Sequence, residues 1–241
     1  MVNATEARNS GGARADPTQV KVEAWGRTLL SAFLELLAPA SCVACEAPGP
    51  RASGYCAECG VPDPLLDVAC HIDGVPVFAG ATYAEPVASV IQRFKYRAAP
   101  ELCAALAALS VRGVDLLGIE PGDVWVPVPL HPLRLAERGY NQSALLAREL
   151  SRSAHGRVDP RRLVRLRHTE QQAKRDRRGR SQNVAHAFAV RGGATKPASG
   201  QRVVLVDDVV TTGATLAACI RALRAAGDTV VGCVAVAHAH G

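Results

Sequence analysis

The stretch VVLVDDVVTTGAT, residues 203–215, joins an apolar run to two acids and a threonine-rich loop. Residues 203–206 predict a buried strand, and Asp207 and Asp208 follow it directly. Ligands of open parallel sheets bind beyond the carboxyl ends of the strands, so we expect both acids at that edge. The helix predicted to begin near Gly213 would offer amide groups and a dipole that favour an anion.

The loop at 209–213 and the first helical turn suit a phosphate group. Hydroxyl donors come from Thr211, Thr212 and Thr215, and Gly213 lets the backbone approach a ligand closely. Carboxylates cannot bind phosphate, but they suit hydroxyls, a metal hydrate or developing positive charge. A sugar phosphate needs both halves, with its hydroxyls on the acids and its phosphate on the loop.

Three other interpretations of the acid pair remain open. An apolar strand ending in acids also fits a Walker B element, although the chain has no G-x-x-x-x-G-K-[ST] motif. The acid pocket of a response regulator is another alternative, but its acids normally belong to an early strand. The third is plain capping of the helix by Thr and Asp side chains.

Strands and helices alternate along most of the chain. Hydrophobic periodicity predicts strands at 75–84, 123–130, 187–190, 202–208 and 229–237, and helices at 25–38, 86–97, 101–109, 141–152 and 214–226. Asn141 is a candidate N-cap, and Gly227 a candidate C-cap. This alternation predicts an α/β protein with an open, mostly parallel sheet and flanking helices.

The composition is that of a globular protein, with 48% hydrophobic and 4% aromatic residues in a chain of 241. No apolar run approaches the roughly 20 residues that cross a bilayer, so we expect no membrane insertion. Residues 25–42 could imitate a lipoprotein signal, but Glu35 and Pro39 favour an amphipathic helix. We therefore expect a cytoplasmic protein whose residues 1–24 are a disordered tail.

The net charge of +6 comes from one segment. Residues 161–180 hold nine Arg/Lys and two acids, which leaves 19 basic and 20 acidic residues elsewhere. A local excess of this kind is typical of a basic loop rather than of a generally nucleic-acid-binding surface.

Four cysteines form the pattern C-x2-C-x10-C-x2-C, namely Cys42, Cys45, Cys56 and Cys59. Four thiolates at this spacing predict one tetrahedral structural Zn²⁺ in a small zinc-ribbon-like module, which with the preceding helix occupies residues 25–70. A disulfide or redox site is the weaker alternative in a chain expected to be cytoplasmic. The remaining cysteines predict no second zinc site, and three of them are expected to be buried: Cys103, Cys219 and Cys233.

These motifs resemble a known family. VVLVDDVVTTGAT resembles the signature with which type I phosphoribosyltransferases bind phosphoribosyl pyrophosphate (PRPP). The wider chain resembles the ComF family, through CVAC and CAEC, FKYR at 94–97, VPVPLHPLRLAERGYNQSALLAREL at 126–150, and RSQNVAHAFAV at 180–190. The resemblance implies a type I phosphoribosyltransferase-like domain at 75–241.

The resemblance also implies roles for single residues. Asp207 and Asp208 would hold the ribose 2′- and 3′-hydroxyls, and Mg²⁺ would accompany PRPP. The 5′-phosphate would lie on Thr211, Thr212, Gly213, Ala214 and Thr215. The pyrophosphate would contact Arg134 and Arg138, for which an exposed helix face is the alternative. Asn141 could cap a helix or touch the ligand, and Lys95 and Tyr96 could bind or lie on a helix surface.

The implied activity is transfer of phosphoribosyl from PRPP to an acceptor in nucleotide metabolism. No base-recognition motif appears, so the acceptor and turnover itself stay open. The alternative is a non-catalytic nucleotide-binding accessory protein of DNA uptake that contacts single-stranded DNA. The basic residues 161–180 fit an active-site flap, a DNA contact or a solvated loop.

Overall fold

The computed structural model describes residues 41–48, 54–65, 67–166, 187–191 and 200–239. Three predicted features lie outside these ranges: the tail at 1–24, the helix at 25–38 and the larger part of the basic segment, 167–180. The described chain contains strands β1 (Cys70–Ile72), β2 (Val75–Thr82), β3 (Val124–Pro127), β4 (Arg157–Val158), β5 (Leu163–Arg165), β6 (Phe188–Val190), β7 (Arg202–Val210) and β8 (Thr229–His238). Its helices are α1 (Val87–Tyr96), α2 (Cys103–Ser110), α3 (Arg112–Leu116), α4 (Pro132–Arg138), α5 (Gln142–Ser153) and α6 (Ala214–Ala225).

Six strands form one sheet in the order β1-β2-β8-β7-β3-β4. Strands β2, β8, β7, β3 and β4 run parallel, and β1 alone is antiparallel, as an edge strand paired with β2. Helices connect β2 to β3, β3 to β4 and β7 to β8, as the βαβ connection requires. The predicted mostly parallel α/β sheet is confirmed.

Both faces of the sheet are buried, and β7 shows why. Val204 and Val206 pack in a core cluster with α1, α2 and α5, whereas Val203 and Leu205 pack on the other face with α6. A strand covered on both sides needs apolar residues at every position, and the uninterrupted run at 203–206 supplies them.

Strand β7 is longer than the sequence predicts. It continues through the acid pair to Val210, because Asp207 and Val209 still pair with Ala235 and Ala237 of β8. The loop that the sequence places at 209–213 is therefore only residues 211–213. The acids belong to the last part of the central strand and are held by its hydrogen bonds.

The strand predicted at 187–190 does not join the main sheet. Strand β6 pairs antiparallel with β5 to form a separate hairpin. Arg162, just before β5, donates to both carboxylate oxygens of Asp228 at 2.6–2.9 Å, and the Asp228 side chain is fully buried. Residues 161–166 of the basic segment are therefore part of the packed domain.

Two further predictions concern burial and membrane insertion. Cys219 and Cys233 are buried as expected, but Cys103 is only half-buried, since it lies in the first turn of α2. Among the helices of the described chain, none combines the length and the apolar character needed to span a bilayer.

Candidate functional site

Asp207 and Asp208 lie at the carboxyl end of β7, near the middle of the sheet. Asp207 accepts hydrogen bonds from the Ser143 hydroxyl at 3.1 Å and from the Asp208 amide at 2.9 Å. Ser143 is in the first turn of α5, whose N-terminus points to the same edge of the sheet. The edge predicted from the sequence thus collects polar groups from both β7 and α5.

Lys95, in the last turn of α1, forms an ion pair with the acid pair. Its Nζ lies 2.8 Å from Asp208 Oδ1, and the two side chains are 19% and 13% exposed. Burial alone would lower the pKa of Lys95, but the charge and hydrogen bond of Asp208, together with the charge of Asp207, outweigh burial and raise the pKa. The ammonium group therefore stays charged and supplies a fixed cation to the site.

The carboxyl of Asp207 has an unusual protonation equilibrium. Burial and the neighbouring Asp208 charge raise its pKa to about 7, although the Asp208 amide, Lys95 and Ser143 oppose the rise. Two adjacent carboxylates in a half-buried position cannot both ionise cheaply. Asp207 consequently changes charge near neutral pH.

In the loop at 211–213, Gly213 has a backbone conformation that favours glycine. Gly213 has φ of 72°, in the left-handed region. A Cβ at this position would also lie 2.6 Å from Ile72 Cδ1, so the loop packs closely against β1. Thr211 and Thr212 are exposed, and Gly213, Ala214 and Thr215 are partly buried.

Helix α6 begins at this loop with free amide groups. Its cap residue, Gly213, has no side chain to bond them, and its first turn has no acidic residue. The first intrahelical bond runs from the Ala217 amide to the Gly213 carbonyl, so the amides of Ala214, Thr215 and Leu216 have no partner within the helix. Such a helix start can bind an anion.

The FKYR motif at 94–97 and the GYNQSA part of the stretch at 126–150, residues 139–144, are far apart in the chain but meet beside the acids. The rings of Phe94 and Tyr140 are 5.7 Å apart, and the Tyr140 hydroxyl donates to the Phe94 carbonyl at 2.5 Å. The Arg138 guanidinium lies 4.8 Å from the centroid of the Tyr96 ring. Sequence reasoning had no role for Ser143 and left that of Lys95 open, because only the quoted motifs, not their contacts, are visible in the sequence.

Arg134 and Arg138, expected to contact pyrophosphate or to lie on an exposed helix face, have different surroundings in the structure, and Asn141, expected to cap a helix or touch the ligand, is a cap. Arg134 is partly exposed and pairs with Glu137 one turn along α4, at 3.3 Å. Arg138 donates to Gln142 Oε1 at 3.2 Å, and its positive charge acts on Lys95. Asn141 caps α5 by accepting from the Ser143 amide, and it also donates to the Val128 carbonyl.

The four cysteines of the predicted module converge on one point. Their sulfur atoms all lie within 4.8 Å of one another, and Cys45 Sγ is 3.7 Å from Cys56 Sγ. Zn–S bonds of about 2.3 Å in a tetrahedron place sulfurs about 3.8 Å apart, whereas a disulfide needs about 2.05 Å. The cluster could hold a structural zinc ion.

The two C-x2-C halves of the cluster have the same backbone turn. The Glu46 amide donates to the Cys42 carbonyl, and the Gly60 amide to the Cys56 carbonyl, at 2.9 and 3.0 Å. Glu46 and Gly60 both have positive φ, of 65° and 67°. Each half is therefore a folded knuckle that presents its two thiols on one side.

Arg93 joins the first knuckle to α1. It donates to the Val43 carbonyl at 2.6 Å and pairs with Glu46 at 2.6 Å. Arg93 lies two residues before Lys95 on the same helix, so α1 contacts the cysteine module and the acid pair at once.

This fold, with an acid pair and a glycine loop at the carboxyl edge of its sheet, defines a phosphoribosyltransferase-like protein. Residues 141–241 match the phosphoribosyl transferase domain family. The chain is 32% identical to DNA utilization protein YhgH of Escherichia coli O6:H1, over 73% of this chain and 80% of that protein. It is 35% identical to competence protein F of Haemophilus influenzae, over 60% of this chain and 65% of that protein. The chain belongs to the ComF family of phosphoribosyltransferase-like proteins.

Proposed function

We propose that the protein binds PRPP at the carboxyl edge of its sheet. The ribose hydroxyls bond Asp207 and Asp208, and the 5′-phosphate lies on residues 211–215. The observation that carries this proposal is the position of the acid pair in the last part of β7, which the short loop 211–213 connects to a helix start with three amides free of intrahelical bonds. Acceptors for hydroxyl groups are therefore followed by donors for an anion within one strand–loop–helix unit, and a sugar phosphate needs both.

Lys95 and Arg138 supply positive charge on the α1 side of the acids. Lys95 is bound to Asp208, and the Arg138 charge is near enough to oppose protonation of Lys95. A pyrophosphate group at this position would meet two cations, with Arg134 more exposed on α4. Mg²⁺ bound with PRPP would neutralise further charge on the leaving group.

The reaction proposed for this site is phosphoribosyl transfer. A nucleophilic atom of the acceptor forms a bond to ribose C1 while the C1–oxygen bond to pyrophosphate breaks, and pyrophosphate leaves with the electron pair. The acceptor loses a proton in the process. The chain's own groups act by position: the acids fix the ribose, the loop fixes its phosphate, and the cations stabilise the departing charge.

The names of the relatives support a setting in DNA uptake or use, since they include DNA utilization protein and competence protein. The same names are also compatible with the second candidate function, a nucleotide-binding accessory protein of DNA uptake that does not catalyse a transfer. Release of pyrophosphate from PRPP in the presence of nucleobases or nucleosides distinguishes the two. PRPP binding without any release would support the accessory role.

The test of ligand binding is a thermal shift with Mg²⁺ and PRPP. At 100 times Kd the ligand adds about 2.7 kcal/mol, which corresponds to about 5–10 °C in a chain of this size. The double variant Asp207→Ala, Asp208→Ala should lose the shift. Asp73→Ala, which removes an exposed acid paired with Arg221, is the matched control and should keep it. A wild-type protein with no shift for PRPP would refute the proposal.

The basic segment gives a separate test of the DNA contact. Its residues 167–180 lie outside the described chain, so the prediction rests on charge alone. Replacing four arginines by glutamine should flatten the salt dependence of single-stranded DNA binding, since each phosphate contact contributes to that slope: Arg175, Arg177, Arg178 and Arg180. An unchanged slope would exclude these residues as DNA contacts.

A further inference from the structure

The last turn of α1 carries two bonded cations that reach different parts of the molecule. Arg93 donates to the Val43 carbonyl of the first knuckle and pairs with Glu46, both at 2.6 Å. Lys95 Nζ lies 2.8 Å from Asp208 Oδ1. Side chains two residues apart on a helix point about 200° apart, so α1 lies between the cysteine module and the acid pair.

The turn that joins these two cations is held by packing and by hydrogen bonds. The Arg93 carbonyl accepts from the Arg97 amide at 2.9 Å, which closes the end of α1. Phe94, between the two cations, is fully buried, and its carbonyl accepts from the Tyr140 hydroxyl. Packed interiors have low compressibility and transmit strain. A displacement of Arg93 is therefore passed on to Lys95 instead of being absorbed within the turn.

The first knuckle is the part of this arrangement whose fold depends on a metal. Val43 lies between two of the four thiols, those of Cys42 and Cys45, and Glu46 follows directly. A structural zinc ion contributes its binding free energy to the folding of the segment that ligates it. Without the metal, the two acceptors of Arg93 are no longer held against α1. The mostly buried Arg93 side chain must then move to find water or other acceptors.

We propose that zinc bound at the four cysteines strengthens the binding of PRPP at the acid pair, and that Arg93 and Lys95 carry this coupling through the last turn of α1. This inference rests on the proposed function and adds the regulation of the same site to it. Arg93 is a positioning residue, since it contacts the knuckle and acts on the ligand only through Lys95. Coupling between two binding sites is reciprocal, so PRPP strengthens zinc binding by the same factor.

The coupling is tested by isothermal titration of the full chain with Mg²⁺ and PRPP, before and after zinc is removed by a chelator that is then dialysed away. The zinc-loaded wild type should bind PRPP at least about fivefold more tightly than the zinc-free protein, the lower end of typical coupling. Zinc-loaded Arg93→Gln should bind PRPP as weakly as the zinc-free wild type. Arg152→Gln, which breaks an exposed pair with Glu149 on α5, is the control and should keep the wild-type difference.

A second pair of variants distinguishes coupling from plain stabilisation of the module. Lys95→Met removes the far end of the path, so it should weaken PRPP binding and leave a zinc dependence of less than about twofold. Thr212→Ala weakens PRPP binding at the phosphate loop, away from the path, and should keep the wild-type zinc dependence. A zinc ion that only stabilised the module would affect PRPP binding equally in both variants.

Three results would overturn the inference. These are equal PRPP affinities of the zinc-loaded and zinc-free wild type, an undiminished zinc dependence in Arg93→Gln or Lys95→Met, and unfolding of the whole domain on zinc removal, measured by circular dichroism. A zinc-loaded wild type that does not bind PRPP would refute the proposed function and this inference with it. Equal affinities with and without zinc would refute the coupling alone.

Discussion

Lys95 Nζ lies 2.8 Å from Asp208 Oδ1, so the last turn of α1 is bonded to the carboxyl end of β7. Both side chains are mostly buried, and the two opposite charges pair directly with each other. A ribose hydroxyl that donates to Asp208 would share this carboxylate with Lys95. The ion pair therefore both holds the fold together and occupies the acid that the proposed ligand needs.

Lys95→Met should destabilise the protein by roughly 2–3 kcal/mol at pH 8, measured by urea unfolding. The variant leaves the Asp208 carboxylate mostly buried without its cation, and removing one partner of a fully buried pair costs about 3–5 kcal/mol. The cost is lower here because about a fifth of the Lys95 side chain is exposed.

The exposed pair of Arg221 and Asp73, at 3.1 Å, is the control for this effect. Arg221→Met should cost less than about 1 kcal/mol, since exposed ion pairs contribute little. Adding Asp208→Asn to Lys95→Met should restore part of the lost stability, because the unpaired charge is then gone. If Lys95→Met and Arg221→Met lowered the free energy of unfolding by the same amount, the Lys95–Asp208 ion pair would have no special structural role.

Asp207→Asn should raise the stability of the ligand-free protein at pH 8 but not at pH 4. The pKa of Asp207 is about 7 in the folded protein and about 3.9 in an unfolded chain. Between these values the folded state keeps a proton that the unfolded state has released, so stability falls as the pH rises through this window. The variant removes this loss, and we expect a gain of about 1–3 kcal/mol at pH 8, or about 2–4 °C in Tm per kcal/mol.

The measurement is a pair of Tm curves from pH 4 to pH 8. The difference in Tm between Asp207→Asn and the wild type should approach zero at pH 4 and grow as the pH rises. The midpoint of this increase should lie between the two pKa values. Asp228→Asn serves as a contrast, because it breaks the Arg162 pair and should lower Tm at pH 8. If Asp207→Asn lowered Tm at pH 8 as well, Asp207 would be an ordinary ionised partner of its neighbours.

The sequence predicted which residues form the site better than it predicted which residues those contact. The apolar run at 203–206, the acids and Gly213 could be recognised because strand burial, charge and backbone freedom are local properties. The bond between Lys95 and Asp208 could not, because it depends on how α1 packs against the sheet. The same holds for the extension of β7 to Val210, which comes from its pairing with β8. The high β-propensity of Val209 and Val210 does not by itself show whether they continue the strand or begin the loop.

Gly213→Ala should cost about 2–3 kcal/mol of stability, from two causes. The left-handed backbone at φ 72° costs about 1–2 kcal/mol for a residue with a Cβ. The new Cβ would also lie 2.6 Å from Ile72 Cδ1, so the loop or β1 must shift. Because the same shift moves the amides of the α6 start, PRPP affinity should fall as well, and both quantities are measured on one protein sample.

Gly74→Ala is the matched control, since Gly74 has φ of 74° and an added Cβ would meet no atom within 4 Å apart from those of its chain neighbours. It should lose only the backbone part, about 1–2 kcal/mol, and bind PRPP normally. Ile72 packs against the core, so Ile72→Ala has a cost of its own and serves as the background. In that background, Gly213→Ala should cost only about as much as Gly74→Ala does in the wild type, because the overlap is relieved. If Gly213→Ala cost the same in both backgrounds, contact with Ile72 would not be the second cause.

The purified protein should contain about one zinc ion per chain, measured by atomic absorption, because four thiols in tetrahedral reach of one point close the coordination shell of Zn²⁺. Cys45→Ser should lower the zinc content and the Tm, since metal binding is coupled to folding of the knuckles. Cys103→Ser, which changes a half-buried cysteine outside the cluster, should keep the metal.

Chelation should lower the Tm of the wild type but not that of Cys45→Ser. A metal-free wild type with the same Tm before and after chelation would show that hydrogen bonds, including those of Arg93 to the first knuckle, are enough to fold the module.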